Sequence, residues 1–404
     1  MKLTLFCYHR MDEFSIGGSR VNPGLRRGPN LVLLWIGLSL FTVYSLSAQR
    51  QVTETSVTPG FKYIRIQDAD EQLGIHVIRV DLRDSEIGIL SVIAQDGLPG
   101  RETVPDMSKR YTEQGIRVLG GINADFWSVA APLGLTVIDG QIARSPNGRS
   151  SIGFSREKNP FIDVFVLQSG LSGRNGDMFP ITSINRFRND SNIVLYTDLN
   201  GDTTRVKQEG RALRMNPAGT AGDGKRVEAV IEEVCAAAAD NPIPDGRWIV
   251  SFGRDYLPRI DFFHPGKVVN LYFSLGPANM GLHHAVSGGP RILRNGEISV
   301  EWEREGIRKG FDTELHPRTA AGYTADKRFL VMAVIDGRRP GYSRGVDLYE
   351  LAELMRGFGC ADALNLDGGG SSTMVVLDRV VNRPSDRTGI RPVSSGLFVI
   401  RTDH

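Results

Sequence analysis

The stretch RFLVMAVIDG, residues 328–337, is the starting point of the fold prediction. Its nearly continuous apolar character is typical of a strand that is buried on both faces. The next segment, VDLYELAELMRGFG (346–359), predicts a helix: Asp347 can cap its N-terminus, Glu350 stands three residues on in the capping-box position, and Gly359 ends it. The segment after the helix is again apolar, so the three together predict a strand–helix–strand unit whose two strands are parallel.

The second strand of this unit leads into ALNLDGGGSST, residues 363–373. Ligands of such units bind beyond the carboxyl ends of the strands, where Asp336 and Asp367 both stand. The three glycines after Asp367 expose backbone N–H groups, and the hydroxyl residues that follow add donors. This turn could hold a phosphate, a sugar or a metal. Alternatively, Asp367 only accepts hydrogen bonds from its own loop.

Two further motifs carry polar groups that suit a ligand. In HPRTAAG (316–322), Arg318 beside Thr319 suggests an anion clamp, because a guanidinium matches phosphate oxygens; the alternative is a surface arginine near a turn. In GINADFW (121–127), Asn123 and Asp125 share one face of a strand beside two aromatic residues. That arrangement suits a sugar site, and the alternative is a strand end with an aromatic anchor.

Two other patterns are set aside. GYSRG (341–345) has the spacing of a nucleophile elbow, but its serine does not directly follow the strand and only His404 lies downstream. The adjacent residues His283 and His284 are expected to face opposite sides of a strand, which makes them poor joint metal ligands.

The remaining sequence predicts mostly short strands. Residues 160–290 form a strand-rich middle region, in which NIVLYTDLNGDTTRV (192–206) is a hairpin candidate and VEAVIEEVCAAAAD (227–240) is either a helix or a strand. The predicted fold class is therefore α+β, with mixed β-sheets, few helices and the C-terminal strand–helix–strand unit bearing the site.

Composition narrows the class of protein and its location. The chain has 404 residues with 41% hydrophobic and 23% charged residues, typical of a folded globular protein, and a net charge of +2 argues against a nucleic-acid binder. The uncharged run Leu31–Ala48 follows two arginines and predicts a cleaved signal peptide or a retained membrane anchor, hence an exported protein. The predicted organisation is 1–48 for this segment, 49–59 for a linker and 60–404 for the functional domain. Cys235 and Cys360 could pair, although separate thiols are the simpler expectation.

The motifs HPRTAAGY, VMAVIDGRRPGYSRGVDLYELAELMRGFGCADALNLDGGGSSTMVV and NRPSD, in this order, closely resemble the phosphodiester glycosidase family. GGINADFW and SGGPRILRNG look like its upstream motifs, so the resemblance extends over about residues 60–402. It implies an enzyme that removes a sugar from a sugar–phosphate diester, with exported bacterial members among its relatives. The positions on the family's motifs are Arg318, Thr319, Asp336, Gly337, Asn365, Asp367, Gly368, Gly369, Gly370, Ser371, Ser372, Asn382, Pro384 and Arg391; His316 and Asp125 stand where the family varies.

The chemistry agrees with that implication. A phosphate monoester is a good leaving group, since its second pKa is about 6, so neutralising the phosphate matters more than protonating it. The predicted catalytic residues are Asp367, Asp336 and Arg318; the predicted substrate-binding residues are Asn123, Asp125, Thr319, Asn365, Gly368, Gly369, Gly370, Ser371, Ser372 and Arg391. The sequence indicates no definite cofactor, and a divalent cation held by the aspartates is left open. The expected partner is a carbohydrate or sugar phosphate, and a membrane only if the N-terminal segment is retained. A noncatalytic glycan-binding module and a glycosidase or transferase of ordinary glycans are the alternatives.

Overall fold

The fold is layered, with two β-sheets packed face to face and one helix on each outer face. The computed structural model describes residues 45–47, 50–174, 176–235, 240–277 and 280–402. Strands and helices are numbered here in chain order. The two helices are α1 (Val104–Glu113) and α2 (Leu348–Gly357).

The larger of the two packed sheets has nine strands, and all its neighbouring pairs are antiparallel. In spatial order they are β1 (Ser45–Ser47), β2 (Arg50–Thr58), β3 (Phe61–Asp68), β4 (Leu73–Asp81), β25 (Phe329–Ile335), β24 (Arg318–Thr324), β26 (Cys360–Asn365), β22 (Arg291–Arg294) and β23 (Glu297–Ile298). Residues 50–58, within the predicted linker, form strand β2, which pairs with β3. This corrects the linker interpretation, because the segment is an integral part of the sheet.

The strands β25 and β26, on either side of helix α2, run in the same direction but are not neighbours. Strand β24 lies between them and is antiparallel to both. The sequence pattern did not reveal this insertion, because β24 precedes β25 in the chain and so lies outside the strand–helix–strand segment. The two strands form a hairpin with a turn at Lys327, whose φ is +56°. Its consequence is that the start of β24 lies beside the ends of both flanking strands.

The second packed sheet has five strands and contributes the other wall of the site. They are, in spatial order, β28 (Arg379–Val380), β27 (Met374–Val376), β6 (Arg117–Asn123), β29 (Ser395–Arg401) and β5 (Ile87–Ile93). Buried aliphatic side chains from the facing surfaces of the two sheets form one continuous core. Each large side chain fully buried in it contributes on the order of 2 kcal/mol.

The helices cover the outer faces through their apolar sides. Helix α2 has the predicted capping box: the Asp347 side chain accepts from the N–H of Glu350, and the Glu350 side chain accepts from the N–H of Asp347. Leu351 and Met355 of α2 are fully buried against the nine-stranded sheet. Helix α1 packs in the same way on the five-stranded sheet through Met107.

The predicted middle region, 160–290, is strand-rich: it forms an eight-stranded sheet and contributes β12 and β21 to a five-stranded sheet whose other strands precede it. The eight strands are, in spatial order, β14 (Met178–Pro180), β13 (Val166–Ser172), β20 (Val268–Gly276), β18 (Arg226–Cys235), β17 (Gly210–Pro217), β19 (Trp248–Gly253), β16 (Ile193–Tyr196) and β15 (Ser183–Ile184). The five are β10 (Gln141–Arg144), β9 (Thr136–Ile138), β21 (Leu282–Ser287), β11 (Ser150–Ser155) and β12 (Pro160–Val164), and a separate two-stranded hairpin consists of β7 (Trp127–Ser128) and β8 (Ala131–Pro132).

Several local predictions are resolved by these strands. The segment left open between helix and strand is strand β18, whose exposed and buried residues alternate. The predicted hairpin at 192–206 is wrong: β16 is followed by a single 3-10 turn, and its partners are β15 and β19. Cys235 and Cys360 are separate free thiols. The overall prediction of an α+β protein with few helices is confirmed.

The predicted N-terminal signal or anchor lies mostly outside the described residues. Within the part of the chain that the structure describes, no helix has the length and apolar character needed to cross a bilayer.

Candidate active site

The candidate site lies where the ends of the two packed sheets meet. In the nine-stranded sheet, Arg318 at the start of β24 is paired with Ile335 at the end of β25. Asp336 and Asp367 therefore follow the ends of β25 and β26, the two strands that lie on either side of β24. From the other sheet, Asn123 ends strand β6 and donates from Nδ2 to the main-chain oxygen of Asp367, at 2.6 Å.

The glycine run after Asp367 is a tight one-turn segment with no room for side chains. The N–H of Gly369 donates to the carbonyl of Pro317 at 2.8 Å, and Gly369 has a φ of +61°. A Cβ atom on Gly368 would lie 2.7 Å from the oxygen of Pro317, and one on Gly370 only 2.4 Å from Nη2 of Arg391. The glycines are thus required by close approach of the backbone to its neighbours.

Asp367 is the least buried of the three acids at the site. It is half-buried, whereas the residues immediately before it are fully buried. Burial raises its pKa to about 6, against the stabilising effects of a hydrogen bond from Ser371 and the charge of Arg391. A carboxyl with this pKa changes its charge near neutral pH, which suits a catalytic base or nucleophile.

Asp125 lies next to Asp367 and is the second acid with a raised pKa. The N–H of Asp367 donates to the carbonyl of Ala124 at 2.8 Å, which holds the two segments together. Asp125 is only 2% exposed; its Oδ2 accepts from the N–H of Gly134 at 2.6 Å, and its Oδ1 has no hydrogen-bond partner. Burial, together with the negative charge of Asp367, raises the pKa of Asp125 to about 7.

Asp336 has different surroundings. It is 1% exposed, and its carboxylate accepts from Nδ2 of Asn382 at 3.0 Å, from the N–H of Arg383 at 3.0 and 3.1 Å, and from the hydroxyl of Tyr342 at 3.0 Å. His76 Nε2 lies 3.3 Å from the same group. These contacts attach the loop of residues 382–391 to the end of β25, so they give Asp336 a structural role that its position in the sequence did not reveal.

Arg318 is likewise bound within the fold. Its Nε donates to the carbonyl of Val346 at 3.2 Å, and its Nη2 donates to the carbonyls of Phe311 at 2.9 Å and Glu314 at 2.7 Å. The side chain is 1% exposed and its guanidinium stacks on the Phe311 ring at 4.7 Å. Burial lowers its pKa to about 10. These contacts hold the loop before β24 and differ from those of an exposed anion clamp.

Several predicted substrate-binding residues form a buried network behind the glycine turn. Thr319 Oγ1 donates to Oδ1 of Asn123 at 3.0 Å, and the Thr373 N–H donates to the same oxygen at 3.0 Å. Thr319 also hydrogen-bonds Oγ of Ser372 at 3.2 Å. Asn365 is fully buried and donates to the carbonyl of Gly289 at 2.8 Å. These hydrogen bonds support a role for the buried side chains in positioning the glycine turn.

Two guanidinium groups lie against the glycine turn. Arg391 is 38% exposed in its side chain, donates from Nε to Asp386 at 2.6 Å, and has Nη1 3.5 Å from Oγ of Ser371. Arg338 has Nη2 3.2 Å from the position that a Cβ atom on Gly369 would take and 3.2 Å from Nδ1 of His316. The sequence analysis did not select Arg338, although its place directly after the Asp336–Gly337 strand end could have indicated it.

The expectation that His283 and His284 face opposite sides of their strand is wrong. A register shift in the pairing of β11 with β21 places His283 and His284 side by side, with ring centroids 4.7 Å apart, against Asp139. Within the described residues, these three are the only His, Cys, Asp or Glu group spaced for a shared metal. However, the N–H of Ser91 donates to Nδ1 of His284, so in its neutral form Nε2 carries the proton that faces Asp139. The Nδ1 lone pair of His284 is therefore occupied and Nε2 carries a proton, so neither nitrogen is free to bind a metal.

Ser343, the serine of the discounted elbow motif, is fully buried. Its hydroxyl donates to the main-chain oxygen of Asp336 at 2.6 Å. This contact gives it a structural partner in the fold.

Part of this chain is similar to a family of known proteins. Residues 223–400 match the family model described as phosphodiester glycosidase. N-acetylglucosamine-1-phosphodiester alpha-N-acetylglucosaminidase of Mus musculus is 28% identical over 218 residues, covering 46% of this chain and 41% of the relative. The chain thus spans about two fifths of the length of that relative. The resemblance drawn from the sequence motifs is confirmed by these matches.

Solved structures show the same fold. A hypothetical protein from Synechocystis has a TM-score of 0.71 at 18% identity, covering 87% of this chain and 64% of that chain. A protein from Burkholderia pseudomallei K96243 has a TM-score of 0.63 at 21% identity, covering 84% and 74%. At these identities the likeness concerns the fold alone.

Proposed function

Since residues 223–400 carry the phosphodiester glycosidase sequence, we propose that this protein hydrolyses a glycosyl phosphodiester and separates the sugar from the phosphate. The observation that carries the proposal is that the half-buried residue Asp367 stands at a glycine turn against which the guanidinium groups of Arg338 and Arg391 lie. The relatives' name makes N-acetylglucosamine the first sugar to test. We further propose export, which the apolar run Leu31–Ala48 supports.

The roles of these groups follow from the bond that breaks. Cleavage between the anomeric carbon and the phosphate oxygen leaves a phosphate monoester, which departs without prior protonation. Arg338 and Arg391 would neutralise its growing charge, as paired cations do for a transferring phosphate. Asp367, deprotonated above about pH 6, would attack the anomeric carbon or activate the water that does so; the hydroxyl from water ends on the sugar and its proton is released to solvent.

The direct test is the release of N-acetylglucosamine from its methyl 1-phosphodiester by the purified full-length protein, with and without chelator. We expect turnover by the wild type and none by Asp367→Asn, with circular dichroism showing that both are folded. Binding of the diester without turnover would instead support a noncatalytic glycan-binding module.

A second candidate function is favoured by one observation, the buried Asp125 beside Asp367. An ordinary glycosidase needs a protonated acid to assist an alcohol leaving group, in addition to a carboxylate. Asp125, with a pKa raised to about 7 and one oxygen without a partner, has these properties.

The two candidates can be separated by the leaving group. If Asp125 is a general acid, Asp125→Asn should lower hydrolysis of ethyl N-acetylglucosaminide about 10²-fold or more, and hydrolysis of the methyl phosphodiester much less. Absence of any wild-type activity on the ethyl glycoside would exclude the second candidate and leave the first intact.

A further inference from the structure

The loops that carry Arg338 and Arg391 form a strongly basic surface around the glycine turn. Segment 337–345 contains three arginines and no acid, and segment 382–391 contains three arginines and one aspartate. The whole chain, by contrast, has nearly equal numbers of basic and acidic residues, 48 and 46. Positive charge is therefore concentrated at the rim of the candidate active site.

The two segments are joined by direct contacts and form one surface. Arg339 donates from Nη2 to the carbonyl of Pro384 at 2.7 Å. Arg383 donates from its main-chain N–H to Asp336, at the base of the other segment. Ser385 donates to the carbonyl of Gly369 at 3.3 Å. The basic rim, defined here as Arg338, Arg339, Arg383 and Arg387, is thus fixed to the turn that carries the site.

The charges of the basic rim are exposed and lack acidic partners. Among the residues that the structure describes, none of the four guanidinium groups lies within 4 Å of a carboxylate, whereas that of Arg344 pairs with Glu350 at 2.7 Å and that of Arg391 with Asp386 at 2.6 Å. Arg383 is held over the ring of Tyr342, 4.1 Å from its centroid. That contact orients the guanidinium but does not neutralise it. Mutual repulsion of such cations is relieved when a polyanion binds.

The number of cations exceeds what one phosphate needs. Arg338 and Arg391 already lie against the turn, and Arg339, Arg383 and Arg387 belong to the two arginine-rich segments beside it. We propose that the substrate is an anionic chain with repeated glycosyl phosphate units, whose phosphates on either side of the scissile bond bind the basic rim. This inference rests on the proposed function, and it specifies the class of substrate.

The experiment compares N-acetylglucosamine 1-phosphate oligomers with one, two and four repeats, using the full-length protein. We expect kcat/KM per bond to rise at least fivefold from one repeat to four, mainly through KM. The gain should shrink between 50 and 200 mM salt, because it depends on ion pairing. The double variant Arg383→Gln/Arg387→Gln should lose most of the gain, whereas Arg254→Gln, an exposed arginine in the middle region, should keep it.

Three outcomes would separate the possibilities. Equal kcat/KM for one and four repeats, or an equal effect of the double variant on both, would overturn the polymer inference while the proposed function stands. If no oligomer is hydrolysed, the proposed function fails. Calorimetry that shows tighter binding of four repeats than of one would still support binding of the anionic chain to the basic rim. Equally tight binding of oligothymidylate with the same charge would overturn the assignment to glycosyl phosphate.

Discussion

The main-chain N–H of Asp367 donates a 2.8 Å hydrogen bond to the carbonyl oxygen of Ala124. This bond joins the end of β26 in one sheet to the end of β6 in the other, and it brings the Asp367 carboxyl beside that of Asp125. Two acids from distant parts of the chain thereby share one buried environment, and the pKa values of both are raised.

Asp367 and Asp336 are predicted to respond differently to the same substitution. Asp367→Asn should reduce phosphodiester hydrolysis at least 10³-fold without loss of stability at pH 7, because the fold favours a neutral group there. Asp336→Asn should lower the free energy of unfolding by about 2–3 kcal/mol, since Asn382, Arg383 and Tyr342 lose charge-assisted acceptors. Urea denaturation and steady-state kinetics of both variants test this contrast, and a stable, inactive Asp336→Asn would reverse the assignment.

Arg391 is predicted to act on the phosphate. Replacing it with glutamine should lower kcat/KM for the methyl phosphodiester about 10²-fold, because a cation beside the leaving group is lost. Hydrolysis of the neutral para-nitrophenyl glycoside should fall far less. An equal loss on both substrates would mean that Arg391 only positions Ser371 and the glycine turn.

Arg318 is predicted to matter through stability. Arg318→Met leaves the carbonyls of Phe311, Glu314 and Val346 without this donor, so the free energy of unfolding should fall by about 3 kcal/mol. The matched control is Arg308→Met, whose side chain also lies near the Phe311 ring but is 62% exposed. It should change stability by no more than about 0.5 kcal/mol. A stable Arg318→Met protein with no activity would restore the anion-clamp interpretation.

The pH dependence of stability should report the two raised carboxyls. In the folded protein Asp125 and Asp367 keep protons that the unfolded chain releases near pH 4. Their contribution to stability is therefore greatest below about pH 4 and declines as the pH rises through 6 and 7. Thermal unfolding of Asp125→Asn and Asp367→Asn should show higher Tm than the wild type at pH 8 and little difference at pH 4. Unchanged Tm differences across this range would contradict the raised pKa values.

Activity should rise with pH over the same range. If Asp367 acts as a carboxylate, kcat/KM for the phosphodiester should increase through about pH 6, where that group loses its proton. A profile that is flat from pH 5 to 8 would argue against Asp367 as base or nucleophile.

The sequence predicted those features that depend on neighbouring residues. The capping box at Asp347 and Glu350, the buried strands before Asp336 and Asp367, and the glycine turn all follow from local spacing. The failed hairpin at 192–206 and the side-by-side histidines depended on a strand partner and a register shift supplied from elsewhere in the chain.

By itself, the amino-acid sequence determined which residues stand at strand ends and that the C-terminal half resembles phosphodiester glycosidases. Only the tertiary structure decided which acids and cations can act on a ligand. Asp336 and Arg318 are occupied by internal hydrogen bonds, while Asp125 lies next to Asp367, and Arg338 and Arg391 lie against the glycine turn. The physical reason is that burial, hydrogen-bond partners and electrostatic neighbours come from segments far apart in the chain, and local sequence spacing contains no information about them.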